Sequence, residues 1–344
     1  MRLCGSNVVE VFYDERGNPL EIYPRFCFDE SMVLSPAVPC LKKGISLLEQ
    51  LERNPESSVC FLRTYALGDI LLLTPVFNWI KERFPAATVY LATVPKFMGL
   101  FKYWDAVETV DKRNLPYIQY EIGYYLDGVV ERDHSGNEYS YKHRLDIYCE
   151  FLGIPQIKDP VFSLPYGEDE KSWAEGVVRP LRHYGKPVIA VQVSGSTAIK
   201  RLPSDKVVEI AERLSDICSL IFVHEAREFF GEINVMNLTG MTNVHQLTAL
   251  IDNVDAVVTM DSGVLWIAHA TKTPVIALLG PTRESERLKY HRNYVVVNLS
   301  EMVGCEPCFE RMTRCKGAIN CMNSSSAEEI AARIENGIKK LVYS

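Results

Sequence analysis

Residues 256–281, AVVTMDSGVLWIAHATKTPVIALLGP, decide the fold class. Val257, Val258, Thr259 and Met260 make an apolar run with the length of a buried parallel strand, and Val275 to Leu279, entered through the breaker Thr273-Pro274, makes the next. Between them Asp261-Ser262-Gly263 turns into a helical segment. The unit is therefore strand, helix, strand, with its turn at the carboxyl end of a strand, where open α/β sheets bind ligands. Ser262 and Gly263 open a helix whose unpaired N–H groups and dipole favour an anion. Asp261 stands where it can hold hydroxyl groups of the molecule that carries the anion. Asp-Ser ahead of a core helix also serves as a plain N-cap, so the rest of the chain has to discriminate.

With 344 residues, 47% of them hydrophobic and 24% charged, the chain can fill two α/β domains and is too apolar for disorder. A formal net charge of -7 argues against a coat for nucleic acid or for an anionic membrane, and no nucleic-acid partner is expected. The start, MRLCGSNVVEVFYDE, has no apolar segment of signal-peptide length and no later run is long enough to span a bilayer, so a cytoplasmic location is expected. Cys4, Cys27, Cys40, Cys60, Cys149 and Cys218 are scattered and read as reduced thiols.

From the beginning of the chain, Val8–Tyr13 and Leu20–Cys27 alternate around the turn-like stretch 14–19, the pattern of a β-hairpin that can pair with a sheet edge or a second subunit. Ile45–Arg53 reads as a short amphipathic helix and residues 54–58 as a linker. Val59–Leu62 is a buried strand, and Ile70–Phe84 has apolar residues at helical spacing up to the stop at Pro85. At the joint, Gly68 lets backbone approach a ligand and Asp69 begins the helix with its carboxylate toward the crevice above the sheet, although Asp is also a common cap. Thr88–Ala92 is a strand, Val94–Leu100 a short helix and Val107–Val110 a strand. The tyrosine-rich stretch 117–148 has no clear period and reads as an acceptor-binding surface or a subunit contact. His143–Leu152 is helical, Gly153 ends it, and the polar stretch Tyr166–Lys171 marks a domain boundary.

The second half opens with a strand, Val188–Val193, that runs into Ser194-Gly195-Ser196-Thr197 and then Lys200. Backbone N–H groups, hydroxyls and one point charge in that order suit phosphate oxygens. Neither the spacing of a Walker loop nor G-x-G-x-x-G occurs, which argues against a nicotinamide dehydrogenase. Ser204–Leu214 is a helix and Ser219–Val223 a strand. Glu225 to Glu228 follow at that strand's carboxyl end, where a carboxylate can bind ribose hydroxyls or simply start a solvated helix. Thr239 and Gly240 precede the helix Val244–Ile251, and Ala327–Leu341 closes the chain as an amphipathic helix.

Five motifs in order carry a resemblance: ALGDILLLTP (66–75), SGSTAIKRLP (194–203), NLTGMTNVHQL (237–247), VTMDSGVLWIAHA (258–270) and TPVIALLGPT (273–282). Together the chain resembles glycosyltransferase family 9, the heptosyltransferase-like enzymes, over residues 58–340. The resemblance implies an α/β fold of GT-B architecture, two Rossmann-like domains facing a cleft. The acceptor side would be 58–170, the nucleotide-sugar side with a cysteine cluster 171–325, the N-terminal β-hairpin extension 1–57 and the closing helix 326–344. It also implies inversion at the anomeric carbon with no cofactor required for transfer.

By the same resemblance Asp69 matches the catalytic general base. Ser194, Ser196, Thr197 and Lys200 match the loop that holds the donor phosphates, and Asp261 the residue on the sugar. Ser262, Gly263 and Val264 present a helix N-terminus to the diphosphate, Glu228 ahead of Glu225 matches the ribose carboxylate, and Thr239 and Gly240 lie near the base. The implied partners are a nucleotide-diphosphate sugar donor, ADP-heptose by likeness, and a glycan or glycolipid acceptor such as a lipopolysaccharide core. Such an acceptor implies peripheral contact at the inner face of the cytoplasmic membrane, and the hairpin extension offers a route to an oligomer. A protein-modifying transferase of the family, a nucleotide-sugar epimerase or hydrolase on the same frame, and a non-enzymatic assembly protein stand as alternatives. The chain departs from the family at Trp266, where many members read D-S-G-x-x-H, and an indole cannot accept a hydrogen bond.

Cys305, Cys308, Cys315 and Cys321 form C-x2-C-x6-C-x5-C. Four thiols in one loop suit a structural tetrahedral site for zinc or iron, with free thiols or disulfides as the alternative.

Overall fold

The computed structural model describes residues 9–10, 23–24, 46–130, 142–192, 194–195, 197–308 and 320–343. Strand β1 (Val9–Glu10) pairs antiparallel with β2 (Tyr23–Pro24), and the remainder of the expected hairpin lies outside the described residues. Helix Leu47–Arg53 starts on a reciprocal cap between Ser46 and Glu49, and buries Leu47 and Leu51 in the first core.

Two parallel sheets carry the molecule. The first holds β3 (Ser58–Leu62), β4 (Thr88–Thr93), β5 (Glu108–Asp111) and β6 (Ile122–Tyr125) in the order β5-β4-β3-β6. The second holds β7 (Val188–Gln192), β8 (Ser219–Phe222), β9 (Met236–Asn237), β10 (Ala256–Met260), β11 (Val275–Leu279) and β12 (Tyr294–Asn298). Its order is β12-β11-β10-β7-β8-β9. Every residue of β7, β10 and β11 is buried, as expected where crossover helices cover both faces of a parallel sheet. The order reverses between β3 and β6 in one sheet and between β7 and β10 in the other. Those switch points are where such sheets open a crevice beyond the strand ends.

Three local expectations are corrected. The helix expected over Ile70–Phe84 is two helices, Leu67–Leu71 and Thr74–Arg83, because Pro75 lies in the first turn of the second and cannot donate the hydrogen bond that continuity requires. The short helix expected over Val94–Leu100 is a 3-10 turn, Pro95–Phe97. The patternless tyrosine-rich stretch contains β6, with Ile122 and Tyr124 turned to the core, a period-two signal too brief to separate from loop. Within the polar stretch Tyr166–Lys171 helix Glu168–Arg182 begins, and it packs on helix Val244–Asn253. Its first turn, Glu168-Asp169-Glu170, places acids at the positive end of the helix dipole.

The closing helix runs Ala327–Val342, capped by Ser326, with Ile330, Ile334 and Ile338 facing the second sheet. Among the described residues no helix is long and apolar enough to cross a membrane.

Candidate functional site

A turn without room to relax sets up the first carboxylate. Strand β3 ends at Leu62, and the chain passes through Ala66 at φ 61, a left-handed conformation that costs a residue with a Cβ, before helix Leu67–Leu71 begins. Asp69 stands in that first turn, 3% exposed. Arg63 Nη2 donates to its Oδ2 at 2.7 Å and Arg144 Nη1 to its Oδ1 at 2.6 Å. Burial pushes the Asp69 carboxyl up, but Arg144 and Arg63, with Arg287 farther off, outweigh it and hold the group below the usual carboxylate range. Beside it, at the end of β6, Asp127 takes the backbone N–H of Thr64 at 2.8 Å and the Thr64 hydroxyl, and lies 3.7 Å from Arg63 Nε.

The second carboxylate faces it from the other sheet. Asp261 follows β10 and is 7% exposed. Arg287 Nε donates to its Oδ1 at 2.8 Å, and Lys200 Nζ, from the loop after β7, lies 2.9 Å from its Oδ2. Burial opposes ionisation of Asp261 too, and Arg287 and Lys200 overcome it, so the carboxylate stays charged far into acid. Arg287 acts on Asp69 and Arg144 on Asp261, so the two clusters share one field. The halves also touch directly. A Cβ on Gly68 would lie 2.2 Å from Trp266 Cδ1, and one on Gly263 would lie 3.1 Å from Leu67.

Around Asp261, the N-terminus of helix Gly263–Thr271 is capped from within: Ser262 Oγ accepts from Val264 N at 3.2 Å and pairs with Thr259 Oγ1 at 3.0 Å. Ser194 is buried and takes the amide of Gln192 on its carbonyl. Ser194 and Thr197 each hold a buried side-chain oxygen without a hydrogen-bond partner, the condition of donors that await an acceptor. Ser196 lies outside the described residues.

A cavity of about 410 Å³ opens beside this loop, lined among others by Ser194, Arg201, His224, Arg227, Glu228 and Phe229. Glu228 Oε1 lies 3.2 Å from His224 Nε2 on its wall. Thr239 is 1% exposed and its hydroxyl receives Glu228 N at 3.0 Å, so it pins the loop. Gly240, at φ 66, lets the backbone pass where a Cβ would lie 2.7 Å from Arg227 N. Glu225 instead pairs with Lys96 of the first half.

The arrangement thus gathers Asp69, Ser194, Thr197, Lys200, Asp261 and the start of helix Gly263–Thr271 at facing strand ends, with Glu228 along the adjoining cavity. Arg63, Arg144, Asp127 and Arg287 were not singled out from the sequence. Arg63 interrupts an apolar run, which is a signal; Arg287 sits in the charged string ESERLK and gives none. Of the cysteine cluster, Cys308 and Cys321 are buried and Cys305 half-buried, while Cys315 lies outside the described residues. Among the described residues no group of three or more His, Cys, Asp or Glu side chains is gathered as a metal site.

Residues 150–319 match Glycosyltransferase family 9 (heptosyltransferase). Lipooligosaccharide heptosyltransferase 2 of Haemophilus influenzae is 36% identical over 103 residues, 30% of this chain and 27% of that protein, so the match spans about a quarter of the curated relative. The family 9 glycosyltransferase of Veillonella parvula DSM 2008 has the same fold, with a TM-score of 0.65 at 15% identity, covering 83% of this chain and 98% of that one. So does the dodecameric iron-containing heptosyltransferase TibC of enterotoxigenic E. coli H10407, solved with ADP-D-β-D-heptose. Its TM-score is 0.61 at 12% identity over 83% of this chain and 77% of TibC. The expected α/β architecture of two parallel sheets matches theirs.

Proposed function

We propose, from a chain whose residues 150–319 match Glycosyltransferase family 9 (heptosyltransferase), an inverting, metal-independent sugar transferase. It would take a heptose from ADP-heptose and place it on a hydroxyl of a lipopolysaccharide core or another cell-envelope glycan. The observation that carries this reading is the pair of buried carboxylates at facing switch points, Asp69 and Asp261, each ion-paired to cations from its own surroundings.

In this reading the donor nucleotide occupies the cavity beside Glu228, and its diphosphate lies against Ser194, Ser196, Thr197 and the start of helix Gly263–Thr271. Lys200 and the helix N-terminus stabilise charge that grows on the departing diphosphate, the role a metal fills in other transferases. Asp261 orients the sugar. Asp69 takes the proton of the acceptor hydroxyl as it attacks the anomeric carbon, since that proton becomes acidic only as the bond forms. Trp266 offers the sugar no ring acceptor, since an indole has none, and its ring lies against Gly68.

Cys305, Cys308, Cys315 and Cys321 are assigned a structural zinc or iron, supported by the thiol-rich donor set and by the iron content of TibC. The dodecameric state of TibC likewise supports an oligomer, with the N-terminal extension as the contact. The work would be done in the cytoplasm, at the inner face of the membrane that bears the acceptor.

Calorimetric titration of ADP-heptose, ADP, UDP and GDP into wild type and Asp261→Ala tests the assignment. Selective binding of ADP-heptose that weakens at least tenfold in Asp261→Ala is expected, a change of about 1.4 kcal/mol or more. Preference for UDP or GDP discards the heptose, and binding of none discards the transferase.

A further inference from the structure

A chain of side-chain hydrogen bonds runs from the end of β7 to the wall of the cavity beside Ser194. Gln192, the last residue of β7, is buried, and its Nε2 donates to Ser194 O. An amide oxygen in that place would face a carbonyl oxygen, so the nitrogen is the atom that stands there. The same Nε2 lies 3.2 Å from Nδ1 of His224, two residues past β8. An amide nitrogen can only donate, so Nδ1 accepts and the imidazole carries its proton on Nε2. That N–H lies 3.2 Å from Glu228 Oε1. Gln192 Oε1 is buried without a hydrogen-bond partner, so its two donations are what hold this side chain in place.

His224 fixes what the backbone leaves loose. The main chain of Glu228 is anchored: its N–H donates to Thr239 Oγ1 at 3.0 Å, its carbonyl accepts from Asn237 Nδ2 at 3.0 Å, and Gly240 N donates to His224 O at 2.9 Å. The half-buried side chain keeps its own rotations, and a flexible carboxylate loses that freedom when it binds a ligand. A hydrogen bond from a ring that is itself held removes this loss in advance. Among the described residues only His224 engages the Glu228 carboxylate, so Oε2 is left to the cavity.

We infer that Gln192 and His224 are positioning residues that aim Glu228 at a sugar hydroxyl of the nucleotide, and that selectivity for ribose over deoxyribose resides in this relay. Gln192 also holds Ser194 O, so one side chain on β7 sets both the loop beside the donor phosphates and the carboxylate on the ribose. His224 acts through Glu228. This role rests on the donor nucleotide occupying the cavity, and it adds the hydroxyl selectivity that the proposed function leaves open.

Calorimetric titration of ADP, 2′-deoxy-ADP and 3′-deoxy-ADP into wild type, Glu228→Gln, His224→Ala and His224→Gln tests the relay. In wild type, loss of the hydroxyl that Glu228 holds is expected to weaken binding about tenfold or more, the worth of a charge-assisted hydrogen bond. Glu228→Gln should reduce that ratio to about threefold or less, the worth of a neutral one. His224→Ala should lower the ratio at least about threefold, because the carboxylate must then be ordered by the ligand. His224→Gln, whose amide N–H can donate to Glu228 in place of Nε2, should recover part of it. A merely structural role would weaken ADP and its deoxy analogues alike, so an unchanged ratio in His224→Ala overturns the positioning role. Nitrogen-resolved NMR of the wild-type histidine rings, with His224 assigned by its absence from His224→Gln, needs no ligand. A proton on Nδ1 there overturns the relay even if His224→Ala fails to fold. No binding of ADP by wild type overturns the donor reading and this role with it, whereas ADP binding with a ratio that survives His224→Ala overturns this role alone.

Discussion

Gly68 has no space for a methyl group. Its Cβ position lies 2.2 Å from Trp266 Cδ1 and 2.5 Å from Nε1, and the indole cannot retreat because it is buried and stacked on His269 at a centroid distance of 5.0 Å. A rigid ring of this size makes position 266, in the helix after β10, a clasp between the two halves. Gly68→Ala is expected to destabilise the protein by about 1–3 kcal/mol through overpacking, measured by urea unfolding. In a Trp266→His background the penalty should fall to within about 0.5 kcal/mol, the range expected of uncoupled sites. Equal penalties in the two backgrounds would show that something other than the indole fills the space. The glycine and the tryptophan were both visible in the sequence, the first as a turn residue and the second as a departure from the family. That they meet was not, because nothing local links residues on different sheets.

At the level of elements, legibility followed burial pattern. Strands β7, β10 and β11 read clearly because both faces are covered and the runs are apolar throughout. Strand β6 did not, since Gly123 and its four-residue length erase the alternation. Helix Glu168–Arg182 escaped because it buries only a thin stripe, Glu170, Ala174 and Val178, within a charged sequence. Helix Gly263–Thr271 was read correctly as an element, but its cap has two possible uses. Ser262 Oγ accepts from Val264 N and pairs with Thr259 Oγ1 of β10, so its capacity is spent within the protein. Ser262→Ala should therefore cost about 1 kcal/mol in thermal or urea unfolding, the ordinary value of an N-cap. ADP affinity should change by less than about threefold, under 0.7 kcal/mol. A tenfold loss of ADP affinity would mean that the hydroxyl turns to the ligand instead.

Across the whole molecule, histidines lie buried where the halves meet. His143 packs 4.8 Å from Tyr290 and 5.7 Å from Trp266, and His269 packs 4.6 Å from His291. Burial lowers His143 to about 3 and His291 to about 4, and pushes His269 well below its ordinary value of 6.5. The unfolded chain binds those protons near pH 6.5 and the folded chain does not, so stability is intact above that pH and is lost as pH falls toward 4. Each neutral buried histidine contributes about 1.4 kcal/mol per pH unit to the slope. Asp69 and Asp261, held below the usual range, add loss only below about pH 4, where the unfolded carboxylates protonate. Thermal unfolding from pH 7 to 4.5 should show a falling Tm, flattened by one histidine's share in His143→Gln. A Tm that is level across this interval excludes the linkage.

The sequence by itself determined the α/β class, most parallel strands and the turns after β3, β7 and β10, because apolar runs and breakers report burial locally. It also named the two carboxylates, since an acid at a strand's carboxyl end is a local pattern. Only the tertiary structure decided what those carboxylates face. Arg63, Arg144, Lys200 and Arg287 reach them from separate elements and both sheets. The energy of a buried charge depends on partners brought by folding rather than on neighbours in sequence, so the cations around Asp69 and Asp261 could be seen only once the two sheets had met.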